Sequence, residues 1–82
     1  MADDRDPERK EQIRAAIIRY LQRHPLAGDT PEGIVACWLP PRRYEDAPQF
    51  IGEVVETMVA AGELAPRHLP GGRLLYVRGP AL

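Results

Sequence analysis

The stretch Val55-Glu56-Thr57-Met58-Val59-Ala60-Ala61-Gly62-Glu63-Leu64 constrains this chain more than any other. Ile51, Val55 and Met58 recur at helical spacing, with Phe50, Val54 and Ala61 alongside, so the segment from about Ala47 to Ala61 is predicted to be a helix with one buried side. Gly62 supplies the left-handed residue that commonly closes a helix. Leu64 to Leu69 and Arg73 to Val77 then alternate as two antiparallel strands, joined through the turn chemistry of Pro70-Gly71-Gly72. A helix therefore runs directly into a β-hairpin. Pro66 has no amide hydrogen to give a neighbouring strand, so the first strand is expected at a sheet edge.

Upstream, Asp6-Pro7-Glu8 carries a cap, a residue preset for the first turn and a carboxylate suited to the positive end of the dipole. Ile13, Ala16, Ile17, Tyr20 and Leu21 give the helix that follows one buried stripe, and the basic residues Arg9, Lys10, Arg14, Arg19 and Arg23 fall largely elsewhere. Pro25 disfavours helical geometry at His24 and ends it. A second start signal stands at Asp29-Thr30-Pro31-Glu32, with Thr30 as cap, and predicts a helix to about Leu39. Its run Ile34-Val35-Ala36-Cys37-Trp38-Leu39 is apolar on every face and is expected to bury more than one side. Pro40 and Pro41 stop it. Asp46 and Gln49 have the spacing of a capping box for the third helix.

Eighty-two residues make one small domain, with little room for a deep catalytic cavity. Residues 1–6 are expected to be a disordered, charged tail, 7–78 the folded domain and 79–82 a loose end. One cysteine excludes an internal disulfide, and with only two histidines no metal-ligand spacing is present. No metal, cofactor or small-molecule substrate is expected. No apolar run approaches ~20 residues and the N-terminus is charged, so neither a membrane span nor a secretory signal is predicted and a cytoplasmic location is expected. Cys37, within an apolar run, is expected to pack as a small hydrophobe. Asp29 and Asp46 stand where helices begin, which makes them caps rather than catalytic carboxylates, and no constellation supports an enzyme.

The order helix, helix, helix, hairpin over about 70 residues, with Val55 to Leu64 at the junction, resembles the winged helix-turn-helix superfamily of bacterial regulators. The resemblance implies an α+β, mainly helical domain of three helices with a C-terminal two-stranded wing. It also implies that the third helix would be the recognition helix, that Arg42 and Arg43 would stand near its entrance, and that Pro70 to Arg73 would form the wing tip. The chain departs from the pattern where DNA binders usually carry basic or amide residues: those positions correspond here to Phe50, Gly52, Glu53 and Glu56. A carboxylate near phosphates is repelled. Residues 49–63 hold three glutamates and no base, whereas 64–82 hold three arginines and no acid.

Two functional readings follow. In the first, the chain is a non-catalytic module, an adaptor or regulatory subunit that meets another protein or a second copy of itself. Its partner-binding candidates are Trp38, Phe50, Glu53, Val54 and Glu56. Trp38 is either core or an anchor for a partner, and Val54, Val59 and Ile18 are expected to leave exposed apolar surface. In the alternative, the chain is a DNA-binding transcriptional regulator in which Arg42, Arg43, Arg67, Arg73 and Arg78, with His68, hold phosphates. The plainer account of the hairpin arginines is that they blunt an edge strand.

Overall fold

In a computed structural model, which describes residues 6–40 and 44–82, the chain opens with helix α1, Asp6–Arg23. The expected charged tail, apart from the backbone of Asp6, and Arg42 and Arg43 lie outside the described residues. A two-residue strand β1, Gly28–Asp29, follows, then helix α2, Pro31–Gly33, which continues as a π-helical segment, Ile34–Trp38. Helix α3, Ala47–Ala60, leads into strands β2, Leu64–Leu69, and β3, Arg73–Arg78. The result is an α+β arrangement of three helices and a three-stranded antiparallel sheet in the order β1-β3-β2.

The local signals explain most of these boundaries. Thr30 is extended and its hydroxyl accepts the Gly33 amide at 3.1 Å, satisfying one of the free donors at the helix start. Gly62 has a φ of 78°, and the amide of the following Glu63 returns to the Met58 carbonyl at 2.9 Å, closing α3. Pro66 lies on β2, an edge strand paired only with β3.

Four sequence expectations are corrected. Asp46 does not cap α3 through its side chain: its ψ of 4° is not the extended geometry a cap needs, and its carboxylate faces Arg9 Nε at 3.6 Å. The apolar run of the second helix is not buried all round. Its π-helical turn places Ile34 and Trp38 in the core and leaves Val35 half-buried and Ala36 and Cys37 exposed. The hairpin gains a third strand, β1, paired through Gly28 to Val77 and Asp29 to Tyr76. A Cβ on Gly28 would lie 2.9 Å from the Val77 Cγ1, so the missing side chain is what lets this short strand approach β3.

The fourth correction concerns residues 79–82, expected to be loose. They turn back on the α3–β2 junction, with the Gly79 amide donating to the Glu63 carbonyl at 2.9 Å and the Ala81 amide to the Gly62 carbonyl at 2.8 Å. Gly79 is the residue that permits this, since a Cβ there would stand 2.2 Å from the Gly62 oxygen.

The core lies between the helices and the start of the hairpin. Ile13, Ile17 and Leu21 of α1 meet Ile34, Val55, Met58 and Leu64, all essentially inaccessible to water. Complete burial of such side chains contributes roughly 1.5–3 kcal/mol each. Glu63 is the one buried charged side chain among the described residues. The Arg14 Nε donates to its Oε1 at 2.8 Å and an Arg14 Nη donates to its other oxygen, while Arg14 also pairs with Glu11. Hydrogen bonding to Glu63 drives the Arg14 pKa further upward, so the guanidinium stays charged. This two-pronged pair ties α1 to the turn between α3 and β2.

Candidate interaction surface

Helix α3 buries a wide stripe: Ala47, Phe50, Ile51, Val54, Val55 and Met58 all face inward. Their spacing, three and four residues repeated, covers two adjoining rows because α1 packs beside the line that contacts the rest of the core. Phe50 and Val54, expected at a partner surface, are therefore core residues, 8% and 3% exposed. Lys10 of α1 sits with its ammonium 5.8 Å from the Phe50 ring centroid. Ile18 and Val59 are partly buried and pack against the same core. Trp38 is 6% exposed and stacked on Tyr20, with ring centroids 4.8 Å apart and planes 12° from parallel. Among the described residues the one large hydrophobic side chain left fully in water is Leu26. The expected exposed apolar surface is absent from them, because residues read as surplus to a single stripe form its second row.

What α3 does present to water is polar and acidic. Gln49, Gly52, Glu53 and Glu56 are exposed on neighbouring turns, and the helix contains no Lys, Arg or His. Glu53 pairs with Lys10 at 2.8 Å; no cation stands against Glu56 among the described residues. The third glutamate of this acidic segment, Glu63, is withdrawn into its pair with Arg14 and adds nothing to the surface field. Sequence reasoning noted Gly52 only as a departure from the DNA-binding pattern and not as a partner-binding candidate. Gly52 lies inside a helix, has no positive φ, and a Cβ there would meet nothing within 4 Å. Its signal was available: a glycine in a helix interior costs stability relative to alanine.

The hairpin carries the positive charge. The register pairs Arg67 with Leu75 and Leu69 with Arg73, so alternation sets Arg67 and Arg73 on one face with Leu75 and Val77, opposite the face of Leu64 and Tyr76. Arg67, His68 and Arg73 are exposed. Arg78 is exposed too, but its Nε donates to the Leu82 carbonyl at 3.0 Å. The structure thus brings Arg67 and Arg73 together and separates them from α3 along the chain by the turn at Gly62.

Among the described residues no group of three His, Cys, Asp or Glu side chains is placed to hold a metal ion, and no helix is long and apolar enough to cross a membrane. Comparison with protein-family models, with curated proteins and with solved structures found no match.

Proposed function

We propose that the chain is a winged-helix module that works through protein contacts without catalysis, and that the exposed face of α3 is its docking surface. The element order and the direct passage of α3 into the β2–β3 hairpin support the winged-helix reading. The observation that carries the docking surface is Gly52, standing in the middle of an acidic helical face where nothing within the fold requires a glycine. A bare backbone at that point lets a partner approach closely between Gln49 and Glu56, at a cost in helix stability that the isolated domain does not recover. Glu53 and Glu56 select a basic partner surface, and they oppose phosphate. With no large apolar patch on the described residues, the contact is polar and modest in strength.

The test is capture from native cells with three baits: the parent protein, Gly52→Leu and Glu56→Arg. Both substitutions fall on exposed positions, so circular dichroism should show an unchanged fold. A partner held by the parent and lost by both variants is the expected result. The same set of proteins on all three baits would overturn the assignment.

One observation favours a second reading. Arg67 and Arg73 share the outward face of the hairpin, an arrangement suited to phosphate contacts by a DNA-binding regulator. In that case Arg73→Ala weakens duplex binding and reduces its salt dependence.

A further inference from the structure

We infer that the groove between the second half of α1 and the end of the π-helical segment is a binding site for a carboxylate carried next to an aromatic or other apolar group. The groove encloses about 350 Å³, within the range that holds small organic ligands. Tyr20, Trp38 and Tyr44 contribute its aromatic walls, and Arg19, Arg23 and His24 its charged rim. No carboxylate lines it among the described residues. None of its lining residues belongs to α3, so this inference stands apart from the docking surface assigned above.

Two features point to an anion. First, Arg19 and Arg23 stand four residues apart on one helix, where like charges repel, and neither meets an acidic side chain among the described residues. Second, the fold does not account for both. Arg23 lies in the last turn of α1, where a cation offsets the helix dipole, but Arg19 lies a turn earlier, where that effect has faded.

The aromatic walls set the rest of the ligand. A bare inorganic anion would use the arginines and leave uncovered the half-buried Tyr20 ring and the narrow accessible edges of Trp38 and Tyr44. A planar or apolar group beside the carboxylate buries against them while the guanidiniums take its two oxygens in charge-assisted hydrogen bonds. A free aromatic acid and the C-terminal residue of a partner peptide present this same chemistry.

Trp38 is the only tryptophan of the chain, so its fluorescence reports on the groove directly. The experiment titrates the full chain with N-acetylphenylalanine, with its C-terminal amide, with N-acetyl-Ala-Ala-Phe and with inorganic phosphate. The expected result is a saturating change with the acid and a loss of affinity of about tenfold or more with the amide, since the charge-assisted bonds are gone. Joint replacement Arg19→Gln and Arg23→Gln should weaken the acid at least as much, with the thermal midpoint held or raised by relief of the repulsion. Tighter binding of the tripeptide than of the single residue identifies a protein tail as the source; equal binding identifies a free acid. An absent fluorescence response, an equal response to acid and amide, an unaffected double variant, or phosphate displacing the acid at equal concentration would each overturn the assignment.

Discussion

Replacing Arg14 by methionine tests how the fold handles its one buried charge among the described residues. The Glu63 side chain is 9% exposed, and Arg14 supplies its side-chain hydrogen bonds. Removing one partner of a fully buried pair costs roughly 3–5 kcal/mol. Arg14, however, is 34% exposed, so water reaches the vacated side and the expected loss for Arg14→Met is about 2 kcal/mol. Glu63→Leu leaves a guanidinium that still has Glu11 and solvent, and should cost about 1 kcal/mol. The double variant removes both charges and should cost about 1 kcal/mol, because apolar replacement of a whole pair is often close to neutral. Urea unfolding of all four proteins then gives a coupling of about 2 kcal/mol. A cost below about 0.5 kcal/mol for Arg14→Met, or a double variant equal to the sum of the singles, would refute the claim that the pair is a buried tie between α1 and the α3–β2 turn.

Other outcomes follow from single positions. Gly52→Ala should stabilise the isolated domain by about 0.5–1 kcal/mol, raising the thermal midpoint by roughly 2–8 °C, because the new methyl meets no neighbour and the helix gains propensity. Gly62→Ala should do the reverse by about 1–2 kcal/mol, since φ at this site is 78° and the added methyl would lie 3.3 Å from the Ala81 Cβ. Cys37 should react with a thiol reagent in the native state as readily as in denaturant once corrected for pH, being exposed on the π-helical segment; protection by folding would contradict that placement.

The elements that carry their own punctuation were legible in the sequence. Thr30-Pro31 fixed the start of α2, Gly62 the end of α3, and Pro66 the edge position of β2, because a capping hydroxyl, a preset φ, a tolerated positive φ and a missing amide hydrogen each act locally. What escaped was set by tertiary packing. β1 is two residues long and exists only because β3 lies beside Gly28. Phe50 and Val54 looked superfluous to one helical stripe, and only the position of α1 shows that α3 buries two rows. Asp46 had the right spacing for a cap but the wrong backbone angle, and Glu63 was only one of three glutamates in residues 49–63, since its partner Arg14 stands 49 positions earlier. Of the partner-binding candidates, Glu53 and Glu56 stand on the surface, while Trp38, Phe50 and Val54 are buried, Trp38 showing only an edge at the groove beside α1. Arg67 and Arg73 lie on the hairpin as expected from their strand positions, and β3 runs one residue beyond the expected Val77 to take in Arg78.

The central claim is that α3 meets protein and not nucleic acid, and titration of labelled random-sequence duplex DNA at about 50 mM and 200 mM salt tests it most directly, because phosphate contacts lose affinity steeply between those conditions. The account expects no association at either salt with the parent protein, given Glu56, which meets no cation among the described residues, and the cation-free α3. Micromolar association at the lower salt that disappears at the higher would contradict it and move the function to the arginines of the hairpin.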